Sequence, residues 1–306
     1  MPSAIVQYLA IFGAGIAAGM INVIVGSGTL ITFPTLLAFG FPPVLANVSN
    51  NIGLVPGSLS GVYGYRAELA GQRSRVMRLG SASLAGGVVG AIALLVLPAG
   101  AFKAIVPVLI GIALVMVVAQ PKLAKWVAAR KVKVTVSVGP AMTGGPGAGS
   151  SSGGGPSAGA GLSAGAPAGG VATAVPSAAA PAAAPAAGLD SGGALLWFLV
   201  FCTGIYGGYF GAAQGVLLIG LLGVAIDDSL QRINAVKNIL AALVNGVAAV
   251  VFIIVSHIAW VPAALIALGS ILGGQAGAKL GRKLPPWALR AIIICVGLAA
   301  LAKLLA

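Results

Sequence analysis

The sequence predicts an all-α integral membrane protein of two inverted repeats, each with about five hydrophobic segments and a broken helical hairpin. Three observations predict this class: a strongly apolar composition, an internal repeat, and basic residues concentrated in alternate connections. Of the 306 residues, 59% are hydrophobic and 7% are charged, and the apolar residues form long blocks. Such blocks are typical of chains that lie mostly in lipid.

Ten hydrophobic segments follow one another along the chain, and several approach the ~20 residues that span a hydrocarbon layer of ~30 Å. Five precede a long gap and five follow it, so we expect a first membrane repeat over residues 1–120 and a second over residues 194–306. The predicted segments are 4–25, 29–41, 43–64, 77–97, 102–120, 194–213, 215–226, 233–256, 259–278 and 288–305.

The gap over residues 121–193 is predicted to be a disordered cytoplasmic linker. Ala, Gly, Pro and Ser dominate it, and no charged residue lies between Lys133 and Asp190. Such a composition neither buries a core nor sustains a helix. Just before the Ala-, Gly-, Pro- and Ser-rich stretch, which begins at about Gly139, residues 131–138 alternate like a strand, but nothing nearby offers a partner, so we interpret them as a juxtamembrane stretch.

The two halves of the chain share a glycine pattern. A Gly-Ile-x-x-Gly motif at 15–19, followed by Gly26, matches the same motif at 204–208, followed by Gly215, at a constant offset of 189 residues. A fixed offset over several positions indicates a duplicated unit.

A second match fixes the relative orientation of the predicted repeats. The LPAGAFKAIV stretch at 97–106 matches LPPWALRAII at 284–293, an offset of 187. If the basic connection 64–78 is cytoplasmic, 15 of the 17 basic residues fall inside, and only Lys103 and Lys303 fall outside. The matching LP motifs then lie on opposite sides of a plasma membrane, with both termini outside. Inverted repeats of this kind are typical of secondary transporters.

The second segment of each half is too short to span comfortably, and glycine-rich turns join it to the segment before. These turns are GSGT at 26–29 and GAAQG at 211–215. Exposed backbone is costly in lipid, so we expect both turns to line a protein-enclosed or watery site. Free N–H groups of the helices after Gly28 and Gly215 would suit an anion. Alternatively, the glycines only permit close helix packing, as expected for the GxxxG motifs at 57–61 and 273–277.

Two amide-rich motifs open the third segment of each half: ANVSNN at 46–51 and NAVKN at 234–238. Polar side chains are costly in lipid and should point inward, toward each other, the turns or a ligand, although hydrogen bonds between helices could explain some of them. Lys237 either snorkels to the cytoplasmic surface or supplies the mobile cation of an anion site. The candidate substrate-binding residues are Asn22, Gly26, Ser27, Gly28, Thr29, Asn47, Ser49, Asn50, Gln214, Gly215, Asn234, Lys237 and Asn238.

Other kinds of site have little support. The acidic residues map to connections or linker, and the single histidine, His257, falls at an outer connection. We therefore expect no catalytic residues, metal or cofactor. Cys202 and Cys295 lack paired spacing and are interpreted as small buried hydrophobes. The basic residues form no face with interleaved aromatics, which argues against nucleic acid as a partner despite a net charge of +13.

Two regions resemble a known family. The chain resembles the TauE/SafE sulfite exporter family of membrane transporters in two regions. The first is the stretch 31–66, and the second is GIYGGYFGAAQG at 204–215 together with NAVKN. The resemblance implies a permease with inverted repeats that moves sulfite, sulfonates or related organosulfur anions. By motif position, the matching residues are Asn22, Gly26, Gly28, Asn47, Asn50, Gly215, Asn234, Lys237 and Asn238. The long charge-free linker departs from the short connection expected of the family.

The leading hypothesis is therefore export of a small anion by a plasma-membrane permease in contact with membrane lipid. Uptake or facilitated diffusion of an organic acid is the alternative within the same class. A membrane-embedded lipid-phosphate enzyme is disfavoured because the membrane interior lacks an acid, base or nucleophile pair. A scaffold acting through the linker is a third hypothesis. The GxxxG motifs permit self-association, so a homodimer is also possible.

Overall fold

The computed structural model describes residues 4–98, 100–102, 104–119, 193–280 and 286–305, and the regular elements in these ranges are α-helices. The first half contains α1 Ala4–Ile24, α2 Thr29–Ala38, α3 Pro43–Gly64, α4 Arg73–Val96 and α5 Gly100–Ala119. The second contains α6 Ala194–Tyr209, α7 Gln214–Ala225, α8 Leu230–Val255, α9 Trp260–Leu280 and α10 Pro286–Leu305. The predicted linker, apart from Gly193, and the alternating stretch at 131–138 lie outside the described residues.

Five of these helices are long and apolar enough to cross a membrane: α1, α4, α5, α8 and α9. The short second segments predicted for each half are confirmed, because α2 has 10 residues and α7 has 12. At 1.5 Å per residue, α2 covers about 15 Å, half of a hydrocarbon layer. Each forms a hairpin with the helix before it.

The halves interlock through a reciprocal exchange of helices. The first helix of each half packs against the fourth helix of the other, α1 on α9 and α6 on α4, while α3 and α8 pack together. Glycines permit both exchanges, since a Cβ on Gly273 would overlap the carbonyl oxygen of Ile16, and one on Gly90 would overlap that of Ile205. Ile16 and Ile205 are equivalent positions of the repeat. The GxxxG motifs at 57–61 and 273–277 also pack within the chain, as expected.

A polar network joins two connections at one end of the bundle. Asp228, before α8, accepts hydrogen bonds from Arg75 Nη1 at 2.9 Å and from Arg232 Nε at 3.1 Å. Arg232 also donates to the carbonyl of Ala70 at 3.1 Å, and Gln72 donates to the carbonyl of Arg232. These contacts place the α3–α4 and α7–α8 connections at the same end, where the charge distribution placed both.

The connections also hold the predicted acidic residues and the histidine. Glu68 lies between α3 and α4, and Asp227 lies between α7 and α8. His257 is exposed between α8 and α9. The prediction of buried cysteines is wrong, because Cys202 and Cys295 are both exposed on helix surfaces. A thiol-bearing side chain is apolar enough to face lipid as readily as a protein core, and an apolar sequence context does not separate the two.

Candidate substrate site

The breaks of the two short hairpins touch each other. α1 ends at Ile24 and α2 begins at Thr29, while α6 ends at Tyr209 and α7 begins at Gln214. The N–H of Gly215 donates to the carbonyl oxygen of Gly26 at 3.1 Å. A Cβ on either glycine would overlap the backbone of the other. The backbones therefore cross in direct contact, which only glycine permits.

Backbone conformation explains where each hairpin breaks. Gly26 has φ 86°, and in the second hairpin Gly211 has φ 75° and Ala213 has φ 59°. These left-handed values suit glycine and are costly for alanine. The Tyr206 hydroxyl donates to the carbonyl of Ala212 and supports this second break. The GIYGGYFGAAQG motif at 204–215 did not reveal this contact.

The first turns of α2 and α7 contain the N–H groups that the sequence analysis considers for an anion. Neither helix has a side chain capping its first turn. The second helix begins at Gln214, however, and the N–H of Gly215 is occupied by Gly26. The N–H of Gly215 itself therefore has a backbone partner, and the prediction of an anion at this helix start rests on the N–H groups that follow Gly215.

In the first half, amides of α3 secure the ends of both hairpins. Asn50 accepts a hydrogen bond from the hydroxyl of Thr32 and donates to Thr29 Oγ1 at 3.4 Å. Asn47 Nδ2 donates to the carbonyl of Tyr209, at the end of α6, at 3.0 Å. Thr32 was missed by the sequence analysis, although its position three residues after Thr29 places both hydroxyls on one face of α2.

In the second half, Lys237 replaces an amide with a cation. Its side chain is fully buried, and its ammonium donates to the carbonyls of Val23 at 3.0 Å and Asn22 at 3.2 Å. These carbonyls lie at the end of α1, where the helix dipole is negative. Its aliphatic stem passes Gly215. Lys237 is the only charged side chain that is buried within the described ranges, and the interpretation that it snorkels to the surface is wrong.

The remaining predicted residues divide between the breaks and their surroundings. Asn234 Nδ2 also reaches the carbonyl of Val23, at 3.5 Å, so each half contributes an asparagine to the end of the other half's first helix. Asn22, half-buried, donates to Ser58 Oγ at 3.1 Å. Ser49 accepts from the N–H of Ala259 at 2.9 Å and so belongs to the α8–α9 connection instead of the breaks.

Several buried polar atoms have no hydrogen-bond partner among the described residues. Such atoms cost about 1–3 kcal/mol each unless a ligand or water satisfies them. Two of these atoms belong to Ser27 and Gln214 at the breaks. Three more belong to asparagines of the two amide-rich motifs, one on α3 and two on α8. These atoms are Ser27 Oγ, Gln214 Nε2, Asn51 Oδ1, Asn234 Oδ1 and Asn238 Nδ2. The crossing of the hairpins thus combines one buried cation with unsatisfied polar side chains.

A separate crevice of about 580 Å³ lies between α5, α6 and α7. Its lining consists of apolar side chains and glycines, such as Met116, Leu199 and Leu221. An anion would lose its hydration there without replacement, so this crevice is not a candidate for the substrate site.

Comparison with known proteins decides the family. The family model described as sulfite exporter TauE/SafE matches residues 11–304. The chain belongs to the TauE/SafE family. The match confirms the resemblance carried by residues 31–66, by GIYGGYFGAAQG at 204–215 and by NAVKN at 234–238, and it makes the chain a multi-pass member of a membrane transporter family.

Named relatives of this TauE/SafE protein are described as transporters. The probable membrane transporter protein YfcA of Escherichia coli K12 is 23% identical over 300 residues, covering 96% of this chain and 88% of YfcA. The probable membrane transporter protein ORF9 of a Sinorhizobium species is 34% identical over 105 residues, covering 34% of this chain and 40% of ORF9. No solved structure matches the chain.

Proposed function

We propose that this TauE/SafE protein is a plasma-membrane permease that exports a small organosulfur anion, such as sulfite or a sulfonate. The observation that carries the proposal is the crossing of the two broken hairpins at Gly26 and Gly215, beside buried Lys237 and unsatisfied polar side chains. The family's description as sulfite exporters supports the substrate class.

The chemistry of the crossing suits an oxyanion. Hydroxyl and amide groups of Ser27, Gln214 and Asn238 can replace water around sulfonate or sulfite oxygens. The ammonium of Lys237 has three N–H groups, and two of them bind the end of α1. The third N–H can contact an anion, and the ammonium as a whole adds one positive charge to a site that is otherwise neutral, which favours an anion over a neutral solute.

Inverted repeats would bring the hairpins to the centre from opposite faces. The reciprocal packing of α1 on α9 and α6 on α4 supports such a two-fold relationship. With the basic connections inside, α1–α2 enters from outside and α6–α7 from the cytoplasm, and both termini lie outside. A helix such as α2, about 15 Å long, would cover about half of the hydrocarbon layer.

Transport would follow from movement of one hairpin against the other. The two breaks are joined by the Gly215–Gly26 hydrogen bond and by the Lys237 ammonium, which crosses from α8 to the end of α1. An anion that draws the ammonium away from α1 would weaken this joint and open one face. An inside-negative potential favours anion exit by about 2.3 kcal/mol per charge per 100 mV, so export needs no proton carrier.

Flux of sulfite and of a simple sulfonate through proteoliposomes tests the proposal. We expect Lys237→Met and Asn50→Ala to reduce the initial rate at least about tenfold, since each removes a contact of the buried centre. Arg73→Met and Gln231→Ala are the matched controls, because both remove exposed side chains at the end of the bundle that holds the basic connections, away from the buried centre. Full transport by both central variants would contradict the proposed site, and transport of carboxylates alone would contradict the substrate class.

A further inference from the structure

A second cavity lies at one end of the bundle. It has a volume of about 470 Å³ and lies where α3 and α9 end beside each other. Gly64 of α3 packs against Ala278 of α9 at its floor. The side chains that define its character are Ser60, Tyr63, Arg66, Gln275 and Lys279.

The cavity carries two positive charges, and its lining among the described residues contains no carboxylate. The guanidinium of Arg66 lies 4.3 Å from the centre of the Tyr63 ring, and its Nη1 donates to the Tyr63 carbonyl at 3.2 Å. This contact caps the end of α3 but occupies one of five N–H groups. The remaining donors, with the Lys279 ammonium and the Gln275 amide, form a cationic pocket with capacity for an anion.

The position of the pocket distinguishes a lipid from a soluble anion. Lys279 ends the candidate membrane span of α9, so the pocket lies at the level where lipid headgroups begin. Deeper in the membrane, Leu59 lies one turn before Tyr63 on α3 and Leu272 lies about two turns before Lys279 on α9, and their apolar side chains are 56% and 55% exposed. A headgroup in the pocket would therefore continue into acyl chains along an apolar helix surface.

We propose that this pocket binds the phosphate of an anionic phospholipid in the leaflet that faces the basic connections. Arg66 offers paired N–H groups to phosphate oxygens, Lys279 adds a point charge, and Ser60 and Gln275 face the glycerol region. Cationic pockets between transmembrane helices recognise anionic headgroups by this combination. The bound lipid would bridge α3 and α9 and stabilise their contact.

Lipid binding to the delipidated full-length protein in a neutral detergent tests this assignment. Dioleoyl phosphatidylglycerol, dioleoyl phosphatidylcholine and inorganic phosphate are titrated separately, with native mass spectrometry and the unfolding temperature as readouts. We expect phosphatidylglycerol to bind at least about tenfold more tightly than phosphatidylcholine, and the single variants Arg66→Gln and Lys279→Gln each to abolish this preference. Inorganic phosphate should bind far more weakly than phosphatidylglycerol, because it lacks the acyl contacts.

Arg73→Gln is the matched control for Lys279→Gln, since Arg73 is exposed, basic and outside the pocket. It should keep the preference for phosphatidylglycerol, and both Arg73→Gln and Lys279→Gln should have the parental unfolding temperature without lipid. Arg66→Gln also loses the contact that caps α3 and should unfold at a lower temperature. Equal binding of both lipids, or equal loss in Arg73→Gln and Lys279→Gln, would overturn the proposal. Inorganic phosphate binding as tightly as phosphatidylglycerol would also overturn it and assign the pocket to a soluble anion.

Discussion

Gly26 and Gly215, 189 residues apart and equivalent in the internal repeat, meet through a hydrogen bond of 3.1 Å between their backbones. The contact joins the breaks of two hairpins from different halves of the chain. It also places both breaks beside Lys237, whose stem passes Gly215 and whose ammonium binds the end of α1. The halves are therefore coupled at the point where Gly26, Gly215 and Lys237, three of the predicted substrate-binding residues, meet.

Replacing Gly26 by alanine should disrupt this crossing. The new Cβ would overlap the backbone of Gly215, and φ 86° is unfavourable for alanine. We therefore expect the free energy of unfolding to fall by about 3 kcal/mol or more and the transport activity to be lost. Gly40→Ala is the control: Gly40 has the same φ of 86° but open space around its Cβ position. It should cost only about 1 kcal/mol. Thermal unfolding in detergent and proteoliposome flux measure both variants, and equal effects would contradict a specific role for the crossing.

Two fully buried serines should respond in opposite ways to loss of their hydroxyl. Ser27 Oγ has no partner among the described residues, so Ser27→Ala should leave stability unchanged or higher and raise the KM for the anion. Ser49 Oγ accepts from the N–H of Ala259, so Ser49→Ala should cost about 1 kcal/mol and leave KM unchanged. Unfolding temperatures and concentration-dependent flux distinguish the two; an unchanged KM in Ser27→Ala would remove this hydroxyl from the site.

The Arg75–Asp228–Arg232 network should make stability depend on pH. Partial burial alone raises the pKa of Asp228, but hydrogen bonds from Arg75, Arg232 and the Ser229 N–H outweigh it and hold that pKa below its ordinary value of 3.8. A carboxylate with a depressed folded-state pKa stabilises the fold above pH 4 and loses this contribution as the pH falls through the folded value.

Asp228→Asn should therefore lower stability at pH 7 by about 1 kcal/mol and should weaken the loss on acidification. Thermal unfolding in detergent at pH 7, 5 and 3 compares the variant with the parent chain. An identical difference in unfolding temperature at all three values would show that the carboxylate charge contributes nothing to the fold.

Cysteine labelling tests the inverted orientation directly. The α3–α4 and α8–α9 connections are equivalent in the repeat, so inversion places them on opposite sides of the membrane. In a Cys202→Ala/Cys295→Ala background, an impermeant maleimide should label His257→Cys on intact cells, and Arg66→Cys only after permeabilisation. Both positions are exposed in the structure. Labelling of both from the same side would show that the repeats are parallel.

Local hydrophobicity and backbone chemistry were enough to predict much of the fold. The boundaries of α2, α3 and α7 fall within a few residues of the predicted segments, because lipid requires continuous apolar runs and glycine marks where they break. The exposure of Cys202 and Cys295 could not be predicted this way. In an almost uniformly apolar helix, the faces toward lipid and toward protein have similar composition, so hydrophobicity alone does not separate them.

The sequence predicted which residues form the candidate site but not which hydrogen-bond partners they have. The amide motifs and Lys237 were recognisable from the sequence because polar groups in apolar segments require partners. Thr32, Ser58 and Tyr206 were missed, since hydroxyl groups in helices are common and can bond their own backbone. Which partner each amide finds depends on the distance between helices from different halves of the chain.

Hydrophobic patterning and glycine positions along the chain specify where it enters an apolar phase, where its helices break and which polar residues accompany the breaks. Tertiary packing is what brings the two breaks together and carries Lys237 to the end of α1, and it leaves Ser27 Oγ and Gln214 Nε2 without a hydrogen-bond partner among the described residues. The physical reason is the separation of the interacting residues along the chain. Helix formation in a membrane depends on residues within a few turns, whereas these contacts depend on glycine-mediated packing between helices about two hundred residues apart.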